Sequence, residues 1–436
     1  MLSVTAVWRN WGRTESVNPA EVVTPRDTDE VADVVARART NGVTIKAVGS
    51  GHSFSAIAIA PEIQLDMSGQ RGLVAVDTAT GRATLRAGTT LREIPGLLAP
   101  YGLAMANLGD VDAQTISGAT STGTHGTGLR HGGISTQITA VRLVTGKGDV
   151  RTVDTSEPQL LSAAALGLGA LGVITEVTLQ CVPAFTLRAQ EGPEQVDDVI
   201  DSFLEKVALH DHYEFYWFPH TGFALTKTNT RLPPDTPRSG PGVVRRLLDD
   251  EVVSNGLFRA TCEVGARFPA AVPRINSLAG NALSARTYTD TSTKVFVSPR
   301  RVRFREMEYA IPLDRVPQAL NEVRDMINRR GFRVSFPIEV RAAAADDLML
   351  STASGRDSGY VAVHRYHADP VDGYFDEVER IMADHGGRPH WGKMHTRDAR
   401  HLRSVYPRFG EFLGVREDFD PDRVFVNPYL ASVLGD

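Results

Sequence analysis

Lys46-Ala47-Val48-Gly49-Ser50-Gly51-His52-Ser53-Phe54-Ser55 closes a β-rich run, Val43 to Val48, with a Gly-Ser-Gly turn that lifts one imidazole out of the backbone. Glycine tolerates the dihedrals such a turn needs and lets main chain press against a ligand. A histidine in a turn, taken alone, more often caps a backbone group. Here a second segment of related character follows. Asn107 to Gly133 holds seven glycines, five threonines after Gly109, and the hydroxyls of Ser117 and Ser121. Backbone N–H groups and hydroxyls in such a stretch can wrap a pyrophosphate without any lysine. Composition alone also suits a flexible surface loop. Two such loops in one N-terminal region point to a cradle for a long ligand carrying both phosphates and a flat ring.

Outward from the first loop, Asp27 and Glu30 form a capping-box-like helix start, and Val31, Val34, Val35 and Ala38 an apolar stripe that Asn41-Gly42 ends. Residues 63 to 87 read as short strands broken at Gly69, Gly72 and Gly81, and Leu91 to Tyr101 as a helix. Residues 138 to 153 read as a hairpin turning at Gly146-Lys147-Gly148, with a further strand over Val173 to Cys181. Gly167, Gly169 and Gly172 match G-x-G-x-x-G. The dinucleotide fingerprint needs a strand before the glycines and a helix after them. Here a helix-like Leu160 to Leu166 precedes and a strand follows, so a Rossmann reading is rejected.

The chain has 436 residues, enough for two domains rather than one core. A net charge of -5 without basic blocks argues against nucleic acid as a partner. Cys181 and Cys262 are the two cysteines, too few for a disulfide framework or a Cys-rich metal site, and no metal is expected. Trp8, Arg9, Trp11 and Arg13 break the apolar stretch a signal peptide requires, and no run of about 18 apolar residues is present. The expectation is a cytoplasmic protein without integral membrane association.

In the second half, Tyr213 to Phe218 reads as an aromatic strand, Leu232 to Gly242 as a loop, and residues 314 to 330 as a helix bearing Val316, Leu320, Val323 and Ile327. Arg333 to Arg341 reads as a strand with Val334, Phe336, Ile338 and Val340 on one face and Arg333, Ser335, Glu339 and Arg341 on the other. Glu339 and Arg341 thus project together, and Pro337 suggests an edge or bulge. An arbitrary Glu-x-Arg is more often a solvated ion pair worth under about 1 kcal/mol. Tyr360 to His367 reads as a strand with Ala362, His364 and Tyr366 on a common face. Arg388-Pro-His-Trp-Gly-Lys393 places His390, Trp391 and Lys393 close in sequence; as isolated residues the first two suit a core equally well.

Together the loops and these C-terminal motifs resemble the FAD-linked aldonolactone oxidase and dehydrogenase family of the vanillyl-alcohol-oxidase superfamily, over nearly the whole chain. The resemblance implies that His52 is joined covalently to the 8α carbon of FAD. It places Ala47, Val48, Gly49, Ser50, Gly51, Ser53, Gly109, Asp110, Thr115, Gly118, Ala119, Thr120, Ser121, Thr124, His125, Gly126, Val173 and Ile174 at the cofactor, with His125 orienting its loop. Gly109 matches a position where plant galactonolactone dehydrogenases carry an alanine that hinders oxygen. Asp110 stands where related alditol oxidases have a serine touching flavin and substrate, a departure that puts substrate identity in doubt. Glu339, Arg341 and Lys393 match the catalytic set, and with Asp110, His364, Tyr366 and His390 they line the substrate pocket. Asn427-Pro428-Tyr429 would return the tail to the flavin domain.

The expected fold is α+β, a two-domain FAD-binding fold of the vanillyl-alcohol-oxidase (PCMH) type. An FAD domain spans residues 1–183 and a substrate domain, an antiparallel sheet flanked by helices, residues 184–415. A returning segment covers 416–436. The expected reaction is oxidation of a sugar 1,4-lactone (L-gulono-, L-galactono- or D-arabinono-1,4-lactone) at the C2 hydroxyl, with dioxygen as acceptor. Alternatives are an alditol or oligosaccharide oxidase, a lactone dehydrogenase using cytochrome c or quinone, and, from another class, a non-catalytic flavin-binding protein.

Overall fold

The structure is a computed structural model describing residues 7–240, 256, 258–281, 284–298 and 300–436. Asp27 caps the Thr28–Asn41 helix by accepting from the Glu30 N–H, and Gly42 ends it in the left-handed region. Val31, Val34, Val35 and Ala38 are its buried residues. They pack in one core with Ile45, Ile63 and Leu65, from a parallel sheet in which the Ile63–Asp66 strand lies between Glu21–Val23 and Ile45–Val48. The His52 turn leaves the end of this sheet. A five-stranded antiparallel sheet follows, ordered Val150–Asp154, Ile138–Thr145, Gly172–Gln180, Arg82–Arg86, Leu73–Asp77. The expected Leu91–Tyr101 helix is shorter, Ile94–Leu98, and tightens into a 3₁₀ turn over Ala99–Tyr101.

The second half is built on eight antiparallel strands, in the order Arg286–Thr291, Thr186–Gln195, Phe223–Leu232, His212–Trp217, Ile338–Ala343, Ser358–Tyr366, Phe304–Pro312, Arg388–Pro389. One face is apolar. Phe215, Trp217, Ile338, Val340, Val361, Val363, Met307, Tyr309 and Ile311 pack there in one core with Val316, Leu320, Val323 and Ile327 of the Val316–Arg330 helix and Val378, Ile381 and Met382 of the Tyr374–Asp384 helix. Strand periodicity sends the alternate residues Glu214, Tyr216, Glu339, Arg341, Ala362, His364, Glu306 and Glu308 to the opposite face. That face meets the glycine-rich loop: Gly128 donates to the Ala342 carbonyl at 2.7 Å and pairs with Ala343.

Two expectations are corrected here. The strand expected from Arg333 starts only at Ile338. Nor is it an edge or a bulge, since it pairs on both sides. Proline has no N–H for a ladder, so Pro337 sits at the doorstep of an interior strand. Val334 and Phe336 consequently enter different clusters rather than sharing a strand face. The expected loop from Leu232 has its last two positions outside the described residues. The tail does return to the N-terminal half: Ile45 donates to the Val424 carbonyl at 2.8 Å, and the Asn427 amide reaches the carbonyls of Ala56, Ile57 and Ile59. Among the described residues no helix is long and apolar enough to cross a membrane.

Candidate active site

The His52 turn is pinned from both sides. Trp11 donates to the Gly51 carbonyl and Phe54 to the Gly392 carbonyl, each at 2.7 Å. Gly51 adopts φ +66°, which an L side chain resists. A Cβ on Gly49 would lie 2.2 Å from Thr115 Oγ1, so the two loops meet at a point that only glycine allows. The His52 ring stacks on Trp11 at 5.6 Å. Burial and then the Lys393 charge depress its pKa to about 4. His52 is therefore a neutral imidazole at physiological pH, with a nitrogen lone pair available as a nucleophile.

A cavity of about 280 Å³ joins the loops to the polar face of the large sheet. His52, Ser53, Gly109, Asp110, Thr124 and His125 line it from the N-terminal half. Glu339, Arg341, His364, His390 and Lys393 line it from the second half. Residues as far apart in the chain as His52 and Lys393 thus share one space. Tyr366 is not brought there; it packs in an aromatic cluster with Phe54, Phe304 and Phe336. Ala119 and Thr120 are buried in the short Ile116–Ser121 helix, and Val173 is a buried residue of its strand. Thr115 caps that helix by accepting from Gly118, while the Ile116 and Ser117 N–H groups are spent on the carbonyls of Thr89 and Ala87. Ala47, Val48, Gly49, Ser50, Gly51, Ser121, Gly126 and Ile174 also lie outside the cavity lining.

The donor set fits a dinucleotide. Among the described residues no protein acceptor meets the N–H groups of Gly49 to Ser53. Consecutive free N–H groups in a glycine turn suit a pyrophosphate. The cavity beside them, with His52 at its rim, suits a flat ring.

The polar face is dense with charge. Arg300 grips Asp110 Oδ2 through Nη2 at 2.6 Å and Nε at 2.8 Å. Arg341 contacts Glu339, reaches Glu214 at 2.7 Å and lies 3.7 Å from Asp110. Burial penalises the Asp110 charge, but Arg300 and Arg341 outweigh it and hold this carboxyl well below the usual range. For Glu339 burial wins, and its pKa rises. Across the cavity Lys393 touches Glu306 and lies 3.9 Å from Glu308. Burial opposes the Lys393 charge, yet the two carboxylates raise its pKa, so it stays an ammonium. His125 is buried, bonds Glu308 at 3.0 Å and stacks on Tyr360 at 3.7 Å. Burial lowers His390 to about 4.

Sequence reasoning missed Trp11, Glu214, Arg300, Glu306 and Glu308. Phe304-Arg-Glu-Met-Glu-Tyr-Ala-Ile-Pro312 carried a readable signal: Glu306 and Glu308 alternate with Met307, Tyr309 and Ile311 at strand period. His212-Tyr-Glu-Phe-Tyr-Trp217 carries the same alternation around Glu214. Arg300 sits outside any element and had no periodic signal.

Residues 19–154 match the family model described as FAD binding domain, and residues 177–433 the one described as D-arabinono-1,4-lactone oxidase. An L-gulono-1,4-lactone dehydrogenase of Mycobacterium tuberculosis is 44% identical over 432 residues, covering 99% of this chain and 100% of that protein. The L-gulonolactone oxidase of Bos taurus is 32% identical, with 98% of each chain covered. Among solved structures, a solvent-stable cholesterol oxidase superposes with a TM-score of 0.84 at 19% identity, covering 99% of this chain and 97% of that one. A cholesterol oxidase from B. sterolicum gives 0.81 at 18% identity, covering 98% and 96%. These last two share the two-part α+β fold of this chain. With its FAD-binding half and the site described above, the chain belongs to the D-arabinono-1,4-lactone oxidase family.

Proposed function

We propose that this protein oxidises the C2 hydroxyl of a sugar 1,4-lactone, of the gulono-, galactono- or arabinono- series, using FAD tethered through His52. The single observation carrying the reading is that His52, Gly109, Glu339, Arg341 and Lys393 line one cavity. When bound, FAD supplies the acceptor for hydride from the carbinol carbon. Gly49 to Ser53 would hold its pyrophosphate, with the Gly109 and Thr124–Gly126 backbone close to its ring. In a FAD domain of residues 1–183, a substrate domain of 184–415 and a returning segment of 416–436, the reacting carbon sits at the meeting face of the first two.

Arg341 and Lys393 are fixed cations beside any oxygen that gains negative charge, and a pre-oriented cation needs no reorganisation as that charge develops. Glu339 accepts hydrogen bonds from substrate hydroxyls, and Asp110, already gripped by Arg300, offers one remaining oxygen. His390 and His364 complete the polar lining. A carboxylate in place of a neutral donor at position 110 favours a polyhydroxylated ring presenting an O–H there.

Dioxygen is the electron acceptor this reading favours, supported by a glycine at position 109 in the cavity lining. A second reading, a dehydrogenase passing electrons to cytochrome c or a quinone, draws on the name of the relative that is 44% identical. Alditol oxidation is the alternative on the substrate side.

The test is anaerobic bleaching of the bound flavin across aldonolactones, xylitol and sorbitol, followed by peroxide release against dye reduction. Bleaching by a polyol and by none of the lactones would overturn the lactone assignment. His52→Ala tests the tether: the yellow colour should then be lost from acid-precipitated protein.

A further inference from the structure

The cavity wall divides by chemistry. On one side Asp110 and Glu339 meet Arg300 and Arg341, with Glu214 and Lys227 paired behind them. A guanidinium does not release its proton at any working pH, and Arg300 and Arg341 hold Asp110 in its charged form, whereas burial raises Glu339. Lys227 is tied to the Val295 carbonyl at 2.9 Å. That side binds and orients; its positive groups are not proton acceptors. On the other side Glu306 and Glu308 meet Lys393, His125 and His364.

Ring hydrogens on this second side follow from the partners alone. Nδ1 of His364 lies 2.9 Å from the Pro337 carbonyl oxygen, and Nδ1 of His125 lies 2.8 Å from that of Gly126. A carbonyl oxygen only accepts, so each Nδ1 carries a hydrogen. Each Nε2 then faces a carboxylate, but the two pairs differ. His125 Nε2 and Glu308 Oε1 stand 3.0 Å apart, at hydrogen-bond distance. His364 and Glu306 stand 3.5 Å apart, leaving the Nε2 lone pair open beside a negative charge. His390 offers no equivalent: its Nδ1 accepts from the Gly392 N–H at 3.0 Å, so its Nε2 carries the hydrogen.

We propose that His364 takes the substrate hydroxyl proton on Nε2, with Glu306 stabilising the imidazolium and Lys393 keeping Glu306 ionised. This rests on the alcohol-oxidation reading above. The O–H bond breaks and its electron pair completes the C=O bond. The C–H pair leaves as hydride to the bound FAD, and the proton ends on Nε2. Two electrons leave the substrate and one proton enters the dyad. His364, 4% exposed, is opposite Glu306 in the strand register and is packed against the uncharged rings of Phe304 and Phe336. The charged or titratable groups around it are Glu306, Glu308 and Lys393, with Glu339 and Arg341 on the adjoining strand and His52 across the cavity.

The experiment is the pH dependence of anaerobic flavin reduction, with [¹⁵N]histidine spectra of the holoprotein. Wild type should show a rate that rises with pH through one ionisation. His364→Gln should lower the limiting rate by roughly 10²–10⁴-fold, abolish that ionisation, and leave the substrate Kd within about threefold. Glu306→Gln should move the ionisation to lower pH, because the imidazolium loses its anionic neighbour. It decides the matter if His364→Gln loses its flavin. In the spectra His364 should titrate as an Nδ1–H ring, assigned by its absence from the glutamine variant. A His364→Gln protein retaining the wild-type profile, or an Nε2–H ring in the spectra, overturns the proposal. If wild type is bleached by no lactone or polyol, the alcohol-oxidation reading falls, and with it the role proposed for His364.

Discussion

Arg341 shows how much one side chain can hold together. Glu339, Glu214 and Asp110 all lie within ion-pair reach of its guanidinium, and the residue is only 8% exposed. Removing a cation from a buried carboxylate cluster leaves charges uncompensated, at a cost of about 3–5 kcal/mol. Arg341→Met should therefore lower the thermal midpoint by several degrees and abolish flavin reduction together. Arg341→Lys keeps the charge but loses the planar fork that serves several carboxylates at once. It should restore much of the stability and little of the rate. Melting curves beside anaerobic reduction rates separate the two effects. A methionine variant as stable as wild type would show that the cluster relaxes or takes up protons. Lys393→Met carries a parallel expectation: Glu306 and Glu308 lose the cation they share, and reduction should fall by about 10²–10³-fold.

Strands and loops set where those side chains can stand. Gly359, in the Ser358–Tyr366 strand, faces the first turn of the Val316–Arg330 helix, and a Cβ there would come within 2.1 Å of Val316 Cγ2. Gly359→Ala should cost about 1–3 kcal/mol by overpacking. Val316→Ala in the same chain should recover part of it, a coupling that denaturant melts of the single and double variants measure directly. Gly109 behaves differently. Its missing Cβ would approach the His125 carbonyl oxygen to 2.9 Å, so the glycine answers to backbone packing as well as to any path for oxygen. Much of this scale was legible in the chain. The capped Thr28–Asn41 helix, the hairpin at Gly146–Gly148 and the Glu339/Arg341 pair all follow from local periodicity and caps. The sheet order was not legible, because pairing depends on contacts far apart in sequence. Nor was the second carboxylate pair: Glu306 and Glu308 had the alternation, but their meaning lies in Lys393, more than eighty residues on. Tyr366 shows the converse limit. It has the right strand parity, yet its position at the strand end delivers it to an aromatic cluster.

The whole molecule is stapled across its length, and two kinds of staple respond to different insults. Asn427 caps the Pro428–Leu434 helix by accepting from Leu430 at 2.8 Å, while its amide spans the carbonyls of Ala56, Ile57 and Ile59. Loss of a cap and of several buried bonds makes Asn427→Ala roughly 2–3 kcal/mol destabilising. The other staple is a set of histidines kept neutral by burial. His52, His212 and His390 are each depressed to about 4, and His131 to about 3. In the unfolded chain each would titrate near 6.5, so below that pH the unfolded state binds more protons than the folded one. The sign follows directly: the contribution of these rings to stability is complete above about pH 6.5 and drains away as pH falls toward 4. Glu306 acts in a lower window. Burial opposes its ionisation, but Lys393 holds it to about 2, so its share is complete above the ordinary carboxyl pKa and is lost as pH falls through about 2. Thermal midpoints measured from pH 8 down to 3.5 should hold level to about 6.5 and then decline steadily. His131→Phe, which removes one titrating ring from the loop side and keeps a flat apolar one stacked on His212, should make that decline shallower. A midpoint that stays level down to pH 4 would mean that the buried imidazoles gain solvent or partners in solution. The neutral His52 on which the proposed flavin tether depends would then lose its physical basis.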